Sequence, residues 1–203
     1  LGHAVKHVFN AAFFIILPEI QLALGMSNAA IGTLAAIRNT GGGIASLPAG
    51  YLSDRFVDRW PMILTICMVA VGVFYFMMGS VSAYALLVFT ATLSAVAIST
   101  WHPSAISALA QKFPGRRGFV IALHGTGGSV GEALGPILVG ALLGLMVWRS
   151  VFQLSMIPAF GMAALVWFGL RGLRGRSPNF TSFKTYLASF HYLLFYPPLF
   201  KVL

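Results

Sequence analysis

The chain has 203 residues, of which 58% are hydrophobic and 8% charged, and its mean hydropathy is +0.86. Such a composition cannot clothe a water-soluble domain and assigns the chain to a membrane. Thirteen Lys and Arg against four acids give a net charge of +9, but the basic residues fall in short bursts between apolar runs rather than along one stripe, which excludes a nucleic-acid-binding surface.

Six windows have the length needed to cross a hydrocarbon core of roughly 30 Å as helix. They lie at 3–22, 28–52, 61–80, 83–110, 118–145 and 150–170, and the fourth and fifth are long enough to tilt or to project from the bilayer. Ser27 or Asn28 can cap the second helix. The lone cysteine, Cys67, sits inside the third window, so neither an intrachain disulfide nor a cysteine-built metal site is available. Lys and Arg outside the spans concentrate on one side: Arg55 and Arg59, then Lys112, Arg116 and Arg117, then Arg171, Arg174, Arg176, Lys184 and Lys201. Arg149 alone falls on the other side, so the bias predicts cytoplasmic ends for this piece.

The remainder divides at 171. Residues 171–198 read as a basic cytoplasmic linker with an amphipathic helix on Phe183, Tyr186, Leu187, Phe190, Leu193 and Leu194, broken by Pro197-Pro198. Residues 199–203 read as the start of a seventh span, and the whole chain as a fragment of a longer protein.

Polar residues inside the spans carry the functional reading. Arg38 is about ten residues into span two, roughly 15 Å deep at 1.5 Å per residue. It is either an anion contact or the counter-ion of a proton-carrying carboxylate, or else half of a structural ion pair. Glu132 is the acid well inside a span and the natural proton-coupling site, unless it is a neutral or Arg-paired structural group. His124 precedes it by eight residues, so the two sit roughly 80° and 12 Å apart on one helix and can border one cavity without touching. His102, before the helix-breaking Pro103, is a gate or substrate contact or a hydrogen-bonded packing residue. His3, His7 and Asn10 share a face of span one; two His at this spacing can bind zinc, but no Cys or acid nearby completes a site, so no metal and no cofactor is expected.

Two features suggest internal duplication. At an offset of 86, Arg38-Asn39-Thr40-Gly41-Gly42-Gly43-Ile44 aligns with His124-Gly125-Thr126-Gly127-Gly128-Ser129-Val130, and Pro18 and Pro103 take similar places in spans one and four. Spans two and five run in opposite directions, as inverted three-helix repeats require. In span five, Gly127, Gly128, Gly131, Gly135, Gly140 and Gly144 give small-xxx-small spacing suited to close helix packing, and Pro136 interrupts its ladder.

The loop Gly50-Tyr51-Leu52-Ser53-Asp54-Arg55-Phe56-Val57-Asp58-Arg59 resembles the G-x-L-a-D-r-x-G-r-[RK] signature of the major facilitator superfamily, departing from it at Val57 and Asp58. The stretch Gly131-Glu132-Ala133-Leu134-Gly135-Pro136-Ile137-Leu138-Val139-Gly140 resembles the antiporter element of that superfamily, with Val139 in place of a glycine. Trp101-His102-Pro103, the Arg116-Arg117-Gly118 loop and the glycine run of span five are most similar to the fosmidomycin-resistance type of drug exporter. The resemblance implies an all-α membrane fold, with residues 1–170 as the six-helix N-terminal half of a transporter in a bacterial inner membrane. It implies that Gly50, Asp54, Arg55 and Arg59 form a conformational gating loop, and that Gly131, Gly135, Pro136 and Gly140 shape a kinked helix associated with proton-coupled export.

The leading expectation is therefore a secondary transporter, not an enzyme. It would exchange protons for a small molecule or drug by alternating access, with the lipid bilayer and a C-terminal half of the same protein as partners. His7, Asn10, Arg38, His102, His124 and Glu132 are the substrate or proton residues. An anion porter built on Arg38 is the alternative. A non-transporting subunit, such as an intramembrane enzyme or a haem carrier on His102 and His124, is a third reading, although no clean catalytic pair or triad is present.

Overall fold

The computed structural model describes residues 1–175 and 182–194, with side chains of the last helix described through Ser189. The described residues form α1 (Gly2–Leu24), α2 (Asn28–Arg55), α3 (Trp60–Ser80), α4 (Tyr84–Lys112), α5 (Arg117–Leu143), α6 (Trp148–Leu154), α7 (Met156–Leu170) and α8 (Phe183–Leu194), with short 3₁₀ turns before α3 and α5. Among them, five stretches are long and apolar enough to cross a membrane: 2–24, 57–80, 84–112, 114–143 and 148–170. The helix expected at 28–52 is present as α2 and is amply long, but Arg38-Asn39-Thr40 and the following glycines hold its composition below the others. The expected span 150–170 is divided at Ser155 into α6 and α7. Pro158 explains the break, because it has no N–H to give the Leu154 carbonyl.

Local chemistry sets the ends. Gly25 takes φ 62°, the left-handed conformation that suits glycine, and closes α1 with Met26 N–H donating to the Gln21 carbonyl at 3.0 Å. Of the two expected caps, Ser27 does the work: its Oγ accepts the Ala30 N–H at 3.2 Å. Arg149 holds the α3–α4 turn by donating to the carbonyls of Gly79 and Val81 and to Ser82 Oγ.

The helices pack in a definite order. α4 lies between α2 and α3, α1 lies along α5, and α3 also packs on α6 and α7. Lipid is as apolar as the core, so shape and hydrogen bonding decide these contacts rather than water expulsion. The core is built from residues one turn apart on facing helices, among them Phe9, Phe13, Ile16 and Ile20 of α1, Met68, Val71, Tyr75 and Met78 of α3, and Leu87 and Ala91 of α4. Tyr75 is fully buried, and its hydroxyl donates to the Phe9 carbonyl.

On the basic side, the departure of the 50–59 loop from the signature has a structural answer. Val57 opens a 3₁₀ turn, is buried, and receives at its carbonyl the Gly175 N–H at 3.2 Å. No non-glycine residue among those described has positive φ, so this turn imposes no requirement for glycine at 57. Amphipathic α8 lies against the end of α2: Tyr51 meets Phe183 and Tyr186 edge to face, with ring centroids 4.9 and 5.7 Å away. Residues 176–181 of the expected linker, the side chains of Phe190, Leu193 and Leu194 on the expected amphipathic face, Pro197-Pro198 and the expected seventh span at 199–203 lie outside the described residues.

Candidate functional site

One face of α1 carries His3, Lys6, His7 and Asn10, and the fold turns it inward against α4, α5 and α2. From His3 to Asn10 is seven residues, so the polar column runs roughly 10 Å along the helix axis. Three glycines of α5 make this approach possible. Gly128 faces His3 and His7, Gly131 faces the Ala4 backbone and Gly135 faces Ala11. Gly127 and Gly140 have open space where a side chain would stand, so only part of the glycine pattern belongs to the seam.

At the basic end of the column, the His3 and His124 rings stack with centroids 3.8 Å apart, and His3 Nδ1 lies 2.5 Å from the His124 carbonyl oxygen. His3 Nε2 lies 3.0 Å from His7 Nε2, and His7 Nδ1 lies 2.8 Å from Glu132 Oε1. Lys6, only 5% exposed, places Nζ 3.0 Å from His102 Nδ1. Trp101 stacks on both His3 and His124. A cavity of about 590 Å³, lined by His3, Trp101, His124, Lys112 and Gly172 among others, opens from this cluster toward the basic end of the bundle.

The contacts from the His124 carbonyl to His3, from His3 to His7 and from His7 to Glu132 form one continuous chain of groups, each of which needs one hydrogen to be a hydrogen bond. Two neutral imidazoles supply two, so the chain has room for one further, transferable proton.

Arg38 sits at the far end of the column. Its NH2 donates to Asn10 Oδ1 at 3.0 Å and its NH1 to Asn39 Oδ1 at 3.2 Å, while its guanidinium carbon lies 4.3 Å from the Phe13 ring centroid and 5.2 Å from that of Phe14. Arg38 is 2% exposed, no carboxylate among the described residues pairs with it, and its Nε has no hydrogen-bond partner. The structure thus separates two groups that sequence alone allowed to pair: Glu132 answers to His7, and Arg38 answers to Asn10.

All six expected polar residues lie along this column. His7, Asn10, His102, His124 and Glu132 reach it from three helices, and Arg38 from a fourth. Lys6 is the buried charge of this column that sequence reasoning passed over, although the rule applied to Arg38, that an intramembrane charge needs a partner or a cavity, applied to it equally. His3 was discounted for want of further ligands. Folding supplies them, since the nearest nitrogens of His3, His102 and His124 lie within 4.8 Å of one another. At the loop expected to gate, Arg55 and Arg59 both approach the Phe56 ring, and Gly50 is overlaid by the Tyr186 hydroxyl.

Residues 1–202 match the Major Facilitator Superfamily. The chain is 20% identical over 173 residues to the fosmidomycin resistance protein of Escherichia coli (strain K12), an alignment covering 85% of this chain and 39% of that protein. It is 27% identical over 163 residues to the probable 4-methylmuconolactone transporter of Cupriavidus pinatubonensis (strain JMP 134 / LMG 1197), covering 78% and 38%. Its fold is similar to the crystal structure of a bacterial homolog of the human lysosomal transporter Spinster, in an inward-facing and unoccupied conformation, with a TM-score of 0.72 at 15% identity over 90% of this chain and 42% of that one. The chain therefore spans about two fifths of the length of these relatives. The apolar helices make it an integral, multi-pass membrane protein, and a match running through almost the whole chain fixes the rest: it belongs to the Major Facilitator Superfamily.

Proposed function

We propose that the chain is the six-helix half of a proton-coupled secondary transporter that exports a small molecule by alternating access. The observation that carries this reading is the continuous His3–His7–Glu132 chain of hydrogen-bonding contacts beside a cavity open at the basic end. In the proposed cycle, Glu132 and His7 hold the coupling proton, His102 and His124 border its route, and Asn10 with Arg38 receives the substrate. Residues 1–170 form the transporting half, and the cytoplasmic linker starts at 171. Both ends of this piece face the cytoplasm of a bacterial inner membrane, in keeping with the basic residues at that end.

Two inverted three-helix repeats fit the packing. Exchanging α1 with α4 and α2 with α5 turns the α1–α5 contact into the α4–α2 contact, and both are extensive. The inward-facing form of the Spinster homolog suits a cavity at the cytoplasmic end. Drug export is suggested by the name of the fosmidomycin resistance relative, and uptake or efflux of an organic metabolite by the name of the 4-methylmuconolactone relative.

The test is proton release on substrate addition to the purified full-length protein over a panel of drugs and small anions. Loss of release in Glu132→Gln with binding retained supports coupling at Glu132. A specific observation favours the second reading, an anion porter: Arg38 is buried with an unpartnered Nε and no carboxylate. Binding that releases no protons, survives Glu132→Gln and vanishes in Arg38→Ala would establish that reading and remove the coupling role from Glu132.

A further inference from the structure

We propose that His3, His102 and His124 form a binding site for a divalent transition-metal ion of the Zn²⁺ and Co²⁺ class, at the mouth of the cytoplasmic-side cavity. The three imidazoles come from α1, α4 and α5, are distant in sequence, and meet through the α1–α5 seam and the Trp101 stack. Their nearest nitrogens already lie within 4.8 Å of one another. Tetrahedral coordination with bonds of about 2.0–2.1 Å needs nitrogens roughly 3.3 Å apart, so side-chain rotations that close about 1.5 Å complete the site.

The surrounding contacts are those that orient metal-binding imidazoles. His3 Nδ1–H is held by the His124 carbonyl at 2.5 Å, which leaves Nε2 as a lone-pair donor. His124 Nε2 is buried with no hydrogen-bond partner, an orphan that a metal would satisfy. Imidazole ligands without thiolate suit Zn, Co, Ni or Cu and disfavour Mg or Ca, which seek oxygen. Lys6 works against the ion, because its ammonium occupies His102 Nδ1 at 3.0 Å. The cavity of about 590 Å³ reaches His3 and His124 and gives a hydrated ion a path in.

This site does not depend on the transport reading, since it can be tested at equilibrium with no substrate and no gradient. The full-length protein, without a polyhistidine tag, is titrated with Co²⁺ in detergent micelles and followed by its visible d–d absorption, with Zn²⁺ as competitor. One ion per chain is expected, displaced by Zn²⁺, with affinity at least tenfold weaker in His102→Gln and in His124→Gln and severalfold tighter in Lys6→Met. The Gln variants keep volume and polarity, and the thermal unfolding of each is measured to show that it is folded; Lys6→Met supplies a gain of affinity that no unfolded variant can imitate. Absence of one-site binding in the wild type, or binding unmoved by both Gln variants and by Lys6→Met, overturns the proposal. Metal binding with no substrate-driven proton release would leave the site standing and remove the coupling reading instead.

Discussion

Replacing Gly131 by alanine tests the seam that assembles the polar column. An ideal Cβ there would lie 2.8 and 2.9 Å from the carbonyl carbon and Cα of Ala4, against an ordinary contact of 3.4–4 Å. The obstacle is backbone rather than a flexible side chain, and the Ala4 carbonyl oxygen stands closer still, so α1 and α5 must separate by more than roughly 0.6 Å, and overpacking of this kind costs about 1–3 kcal/mol. The same shift would stretch the His7–Glu132 contact from 2.8 Å to beyond roughly 3.4 Å, outside the usual hydrogen-bond range. Helix propensity acts in the opposite direction, since alanine is favoured over glycine by about 1 kcal/mol. Gly140→Ala provides the reference, because it lies in the same helix with open space around it and gains the same propensity. The difference between the two variants therefore isolates the steric cost of about 1–3 kcal/mol, a factor of roughly 5–150 in the folded-to-unfolded ratio. Unfolding of the full-length protein in mixed detergent and dodecyl sulfate micelles measures it. Equal unfolding midpoints for Gly131→Ala and Gly140→Ala would refute the close-seam account.

Further expectations follow from other contacts. Arg149→Ala should destabilise the protein by about 1–3 kcal/mol, because it removes the donors that satisfy the Gly79 and Val81 carbonyls; the loss should be insensitive to salt in unfolding titrations, since no acid is involved. Gly50→Leu should expel the Tyr186 hydroxyl, which stands 2.6 Å from a Cβ built at Gly50, and detach α8; faster thiol labelling of Lys184→Cys in a Cys67→Ala background would report it. Burial, together with Asp54 nearby, pushes the Tyr186 phenol above its ordinary value near pH 10. Its contribution to α8 docking should be complete below about pH 10 and fade as pH rises through the raised value, and a phenolate absorbance titration of wild type against Tyr186→Phe checks the sign. Metal affinity at His3, His102 and His124 should fall as pH falls, because protons compete for the same nitrogens, and Co²⁺ titrations at two pH values test this.

The helices and their ends were legible in sequence because hydropathy, caps and breakers act locally. Apolar runs separated by Gly25, by Asp54 to Pro61 and by Gln111 to Gly118 place all but one of the helix boundaries within a few residues of those observed. The exception, the break at Ser155, depends on Pro158 in a run whose apolar composition gives no sign of it. In α2 a charge and three consecutive glycines lie within a span, which is costly in lipid unless a neighbour accommodates them.

Partnership was a different matter. The sequence by itself determined that a membrane chain carries Arg38, Glu132 and four inward-capable histidines at helical spacing, because side-chain chemistry and the 1.5 Å rise are properties of one helix. Only the tertiary structure decided that Glu132 answers to His7 rather than to Arg38, that Lys6 occupies His102, and that His3, discounted for lack of ligands, meets His102 and His124. The physical reason is that these contacts span about a hundred residues and hang on how closely α5 approaches α1. That distance is fixed by the absence of side chains at Gly128, Gly131 and Gly135 against particular atoms of a particular neighbour; helical spacing alone puts those three on the His124 side of α5, but it does not say which helix they meet or how closely.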